Sequence, residues 1–257
     1  MSATNKTGSS ETTPAREAQP ASYFVTTHWS VVVQAGRNDT TQALALEQLC
    51  RVYWYPLYAF GRRRGYSPPD AQDLTQEFFA RLLERNWLAR ADQNKGRFRT
   101  FLLTALTRFL KGERDKARTL KRGGGRPPLP FEVEDGETRY GTEPADSRTP
   151  EQAFERHWAM ALLEEVLRQL EAAYCADGKD GLFAALRPCL LGQGELVEYD
   201  KLGAHLGLSE AAVKMAIHRL RQRYRQLLRD QIAHTVNSAD EVDAEMRHLF
   251  KVLVRPG

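Results

Sequence analysis

Asp70, Asp73 and Glu77 fall at i, i+3 and i+7, so they share one face if residues 67–82 are helical. Carboxylates so placed fit two chemistries. They could hold a divalent cation for phosphodiester cleavage. They could instead be acids favoured by a helix dipole on a protein-docking face. No His or Asp cluster completes a metal site, and His28, His157, His205, His218, His234 and His248 form no His-x-x-x-His pair. The docking face is therefore favoured, and no enzyme activity, metal or cofactor is expected. Gly123-Gly124-Gly125 precedes Pro127-Pro128 and reads as a flexible linker, because a phosphate loop would need a strand before it and a helix after it.

The second chemistry is polyanion binding. Residues 95–126 hold 11 basic and 2 acidic residues, a balance of +9. Residues 132–155 hold 8 acids against Arg139 and Arg148, a balance of −6. Residues 201–229 hold 7 bases against Glu210, a balance of +6. The formal net charge of the 257-residue chain, +4, averages these blocks away. Each Lys or Arg set on a phosphate releases condensed counterions, so two basic blocks on helical, apolar-patterned segments point to nucleic acid.

Helical spacing dominates the chain, with Val31-Val32-Val33 the only short strand candidate, so an all-α protein is expected. A first helix is predicted over about 41–64, with Leu44, Leu49, Val52, Tyr53, Leu57 and Phe60 inward. Pro56 should kink or split it, and Gly65 should stop it. Ser67 and Pro68 open a second helix, with Ala71, Leu74, Phe78 and Leu82 on one face. A third begins near Arg97 or Arg99 and runs into the basic stretch ending at Arg122. Residues 123–148 are Gly/Pro-rich and acidic and read as a flexible linker. Thr149-Pro150-Glu151-Gln152 fits a capping box that opens a helix to about Ala173, and a further helix covers about 181–191.

Residues 199–225 give the strongest local pattern. A short apolar helix is followed by a turn at Gly207 and by Ser209 as the cap of a helix with Val213, Ile217 and Leu220 inward. This is helix-turn-helix spacing, with Ala204 small enough for a close crossing. Its first turn can reach base edges in a major groove while the later arginines meet phosphates. Ser238-Ala239-Asp240-Glu241 caps a last amphipathic helix through Leu253, expected to pack on its own domain.

The stretch from Asp70 to Leu82, with its Asp-Leu-x-Gln-Glu core, resembles the region-two helix of RNA polymerase sigma factors. Leu202 to Arg225 resembles their region four. The pattern is most similar to the extracytoplasmic-function (ECF) subfamily and covers about 44–122 and 151–232. Thr26 to Ser30 resembles a lead-in found in some members. The resemblance implies a region-two-like bundle over 23–122 and a region-four-like helix-turn-helix domain over 149–235, on either side of the linker. Residues 1–22 would be a disordered tail and 236–257 a helical extension. It implies core RNA polymerase and promoter DNA as partners, with an anti-sigma factor as a further partner of many members.

By resemblance, Asp73, Gln76, Glu77 and Phe79 would dock on the clamp helices of the polymerase. The loop Arg90 to Gly96 and the helix after it would engage the melted minus-ten element through Lys95, Arg97, Phe98 and Arg99, continuing to Arg108 and Lys111. A polar loop beside aromatic and cationic side chains suits capture of an extruded base, although core packing is the favoured role for Phe98. Ser209, Glu210, Ala212, Lys214, Met215, His218, Arg219 and Arg221 would read the minus-thirty-five duplex. Members often carry Ser-Arg where this chain has Met215-Ala216. A Met can touch a thymine methyl but cannot make the bidentate guanine contact of an Arg. The alternative reading is a free-standing helix-turn-helix regulator, which leaves the helices before residue 122 without a role. Three widely spaced cysteines, no signal-peptide core and no long apolar run make a cytoplasmic protein without membrane insertion the expectation.

Overall fold

The computed structural model describes residues 40–84, 97–119, 136–142, 147–190, 199–236 and 238–254. The N-terminal tail with its lead-in, the Val31 to Val33 run, the loop before residue 97 and most of residues 123–148 lie outside the described residues. Among the described residues the protein is all-α.

Helix α1 (Thr40–Arg63) is the hub. Tyr53, Trp54, Tyr55, Leu57, Tyr58, Ala59 and Phe60 are consecutive or nearly so, and all are buried. A helix apolar on every side must be surrounded, and α1 has neighbours on several faces. Pro56 lies inside α1, which remains one helix rather than two. The lost Pro N–H costs a bond to the carbonyl of Val52, but packing around the whole circumference holds the segment. Gly65 ends α1 in the left-handed region at φ 86°, where only glycine is unstrained.

Helix α2 (Pro68–Glu84) starts where its cap predicts, with the Asp70 N–H donating to Ser67 Oγ at 3.3 Å. Its inner face is Ala71, Thr75, Phe78, Phe79 and Leu82. Helix α3 (Phe98–Thr119) buries Phe98, Leu102, Leu106, Phe109 and Leu110. The Phe78 and Phe109 ring centroids lie 5.8 Å apart, and the Arg81 guanidinium sits 4.9 Å over Phe109 while bonding Glu113 at 2.8 Å.

Within the acidic stretch, the short helix α4 (Gly136–Gly141) rests on α1. Glu137 accepts from Tyr58 Oη at 2.5 Å and from Arg62 Nε at 2.9 Å. A Cβ on Gly136 would stand 2.8 Å from the Trp54 ring, which itself stacks on Tyr58 at 5.2 Å. Gly136→Ala is expected to cost about 1–3 kcal/mol by overpacking, read as a lower urea midpoint with an unchanged slope. An unchanged midpoint would show that α4 does not seat there.

Helix α5 (Pro150–Ala176) carries both halves of the predicted capping box. Gln152 N–H donates to the Thr149 hydroxyl at 3.3 Å, and Thr149 N–H donates to Gln152 Oε1 at 3.1 Å. Its N-terminal half, with Phe154, Trp158, Leu162 and Val166, joins the core around α1. Its C-terminal half, with Leu170 and Tyr174, joins a second cluster. That cluster gathers α6 (Asp180–Leu186), the 3-10 turn Arg187–Leu190, α7 (Tyr199–Leu206) and the start of α8 (Glu210–Ala233). Helix α9 (Ala239–Val254) folds back onto α5 and α8. The two helical halves thus meet along α5, with Leu228, Ile232, Val242 and Leu249 in the same core as α1 to α3. Cys50 and Cys189 are buried, Cys175 is exposed, and all three are free.

Candidate nucleic-acid and polymerase interface

The residues singled out in the sequence lie on three surfaces. The first is the outer face of α2. Asp73 is exposed, and Gln76 and Glu77 are half-buried. Glu77 pairs with Arg81, one turn on. Phe79 does not join them. It is 1% exposed and packs beside Phe78, ring centroids 6.0 Å apart. Position 79 belongs to the inner stripe with 71, 75, 78 and 82, so helix phase turns it inward. The face left to a partner is acidic and amide-bearing, carried on a helix whose other side is anchored in the core.

The second surface is α3. Arg108 and Lys111 are exposed, while Lys95 lies outside the described residues. The start of the helix faces inward. Phe98 is buried edge-on to Tyr53, with centroids 5.4 Å apart. Arg99 is 5% exposed and is held by two carboxylates. Its Nε donates to Glu245 Oε1 at 2.5 Å, its Nη1 donates to Glu155, and its guanidinium lies 5.0 Å over Trp158. Arg97, one-third exposed, reaches Glu245 Oε2 at 2.9 Å. Burial pulls the Arg99 guanidinium down, but the bonds and charges of Glu245 and Glu155 outweigh it and raise it above its ordinary value. In this arrangement Phe98 and Arg99 present nothing to an outside ligand. The sequence pattern at 97–99 could not show this, because Glu245 lies 146 residues away.

The third surface is the start of α8. Ser209 caps it, accepting from Ala212 N–H at 3.3 Å, after Gly207 turns the chain at φ 66°. Glu210, Lys214, Met215, His218 and Arg219 are exposed and Ala212 is half-buried. Glu210 pairs with Lys214 at 2.6 Å and holds that ammonium above its ordinary value. Met215 is 52% exposed. Arg221 points elsewhere, its guanidinium donating to the Cys189 carbonyl at 2.8 Å and so tying α8 to the 3-10 turn.

The close approach between α7 and the turn is made by Gly203 rather than by Ala204, which is exposed. A Cβ on Gly203 would sit 2.6 Å from the Leu208 carbonyl oxygen, and Leu208 N–H donates to the Gly203 carbonyl at 2.9 Å. Adjacent small residues gave the signal, and only the phase of a two-turn helix decides between them. Glu245 also escapes a reading of the sequence. Its signal is an acid on the apolar stripe Val242, Met246, Leu249, where a carboxylate must find a buried partner.

Among the described residues, no group of His, Cys, Asp and Glu could hold a metal ion, and no helix is long and apolar enough to cross a membrane. Residues 53–119, from within α1 to the end of α3, match the family model of sigma-70 region 2. No curated protein and no solved structure matches the chain. The region 2 match supports a sigma-factor role in promoter recognition and transcription initiation. It implies core RNA polymerase and promoter DNA as partners.

Proposed function

We propose that this chain is a sigma factor of the ECF type. It would bind core polymerase and direct initiation by reading a minus-ten element through α3 and a minus-thirty-five element through α8. The observation that carries the reading is the region 2 match over residues 53–119, which includes α2 with Asp73, Gln76 and Glu77 on its outer face. In this reading those residues dock on the polymerase, and Phe79 supports them from within. Arg108 and Lys111 meet backbone phosphates, which position without specifying sequence. On α8, Lys214 and Arg219 carry the cationic contacts to the duplex. Met215 supplies an apolar contact for a thymine methyl. The role of the chain is recognition rather than catalysis, in the cytoplasm where polymerase works. An anti-sigma partner rests on the sequence resemblance alone.

The reading predicts separable losses. Gln76→Ala with Glu77→Ala should weaken core polymerase binding by roughly tenfold or more, about 1.4 kcal/mol, and leave affinity for duplex DNA unchanged. Lys214→Ala with Arg219→Ala should do the reverse. It should also flatten the salt dependence of duplex binding by about 0.9 in log–log slope for each phosphate that the chain no longer neutralises. Pull-down on immobilised core polymerase and fluorescence anisotropy on duplex fragments read the two arms. If both pairs lowered both affinities alike, the division of labour would be wrong.

A further inference from the structure

We propose that helix α9 is an autoinhibitory latch: Glu245 occupies, on Arg97 and Arg99, the place a nucleic-acid phosphate would take, and promoter DNA must displace it. The inference rests on the reading that α3 contacts promoter DNA, and extends that contact to the start of the helix once α9 has left it. Glu245 is 1% exposed and takes up both arginines, at 2.5 Å from Arg99 Nε, 3.4 Å from Arg99 Nη2 and 2.9 Å from Arg97 Nη1. The guanidinium fork matches carboxylate and phosphate with the same geometry, so one anion can substitute for the other. The arginines lie inside the region 2 match and the acid lies far outside it. A buried ion pair is a poor device for stability alone, since apolar residues of similar volume often do as well or better. Its better-attested use is to specify one of two arrangements.

The rest of α9 is built to hold and to let go. Val242 and Leu249 are buried against the core, but Phe250 is 52% and Val254 81% exposed. Met246, Val252 and Leu253 pack half-buried against the same core, and the polar ties reach the surface. His248 meets Glu155 at 2.7 Å, Arg229 meets Asp243 at 2.5 Å, and Arg156 donates to the Leu253 carbonyl at 3.2 Å. Glu155 closes the network, joining Arg99 to His248. Opening α9 would leave Glu155 as the carboxylate still paired with Arg99.

The test uses the full chain and a fluorescein-labelled, mixed-sequence single-stranded oligonucleotide. Glu245→Gln keeps the shape and removes the charge. Ending the chain after Asn237 removes the helix. Each should tighten binding roughly tenfold, and adding Arg99→Gln to Glu245→Gln should abolish the gain. No gain in either variant, including no detectable binding by any of them, overturns the latch. Hydrogen exchange on the unaltered chain decides the matter even if a variant fails to fold. Saturating oligonucleotide should speed exchange across 239–254, and unchanged or increased protection there overturns the proposal. A chain that binds core polymerase yet keeps α9 protected loses the latch alone, whereas a chain that fails to bind polymerase loses the sigma reading.

Discussion

Gly203→Ala is expected to destabilise the α7–α8 unit by about 1–3 kcal/mol, the usual cost of forcing a methyl into filled space, and to weaken duplex DNA binding in step. The sign runs against helix propensity, because alanine in a helix interior is ordinarily better than glycine by roughly 0.5–1 kcal/mol. Geometry decides. The new Cβ would lie 2.6 Å from the Leu208 carbonyl oxygen, a backbone atom in the turn that sets the angle between the helices. It cannot rotate away as a side chain would. The turn must open, and with it the Gly207 hinge and the Ser209 cap that aim the first turn of α8. The neighbouring control is Ala204→Ser, on an exposed position, expected within about 0.5 kcal/mol of the parent. Thermal unfolding and duplex anisotropy on both variants check it. A neutral or stabilising Gly203→Ala would mean that the two helices do not cross at that residue.

Glu245→Ala is expected to cost about 3–5 kcal/mol, the penalty for stranding a buried charge by removing its partner. Arg99, at 5% exposure, cannot turn to water, and Glu155 alone remains to meet it. Arg97 is one-third exposed and can rehydrate, so it adds little to the loss. For a chain of this size the drop corresponds to a fall in Tm on the order of ten degrees. The double replacement Arg99→Met with Glu245→Leu should cost much less than the sum of its parts, because no unpaired charge is left. The coupling should fall at or above the upper end of the roughly 0.5–3 kcal/mol seen for contacting residues. If α9 opens as a unit, Glu245→Ala will show first as reduced amide protection over 239–254, ahead of the global transition. Additive single and double effects would contradict a buried network.

What the sequence made legible is local. Ser67, Thr149, Ser209 and Ser238 each cap a helix through a bond to a residue three places on, so the signal and the structure lie within one turn. The inner stripes of α2 and α8 were readable for the same reason, since periodicity is a property of the segment alone. What escaped was the choice of partner. Helix α5 carries apolar residues around much of its circumference, and no pattern within it says that its first half packs with α1 and its second with α8. Pro56 suggested a break in α1 that burial on every side prevents. Phe79 and Arg99 had the residue types of a binding surface, yet helix phase and a distant carboxylate turned both inward. Gly136 sat in a stretch whose composition reads as linker, and the Trp54 and Tyr58 rings give it a reason to be glycine.

The region 2 helices and the helices after residue 149 share one core through α5, α8 and α9. On the proposed reading, a chain so closed must rearrange to place α3 and α8 on separate promoter elements. The apolar seam between the halves would then be exchanged for contacts with polymerase and DNA, and binding energy would have to offset the exposure.

The most direct test of the central claim is to mix the purified full chain with core RNA polymerase, isolate what co-elutes, and supply it with a library of promoter fragments. A stable complex is expected, weakened by the Gln76 and Glu77 replacements, that initiates from a defined subset of fragments while core polymerase alone does not. Absence of any complex with core polymerase, under conditions where the chain is folded, would contradict it.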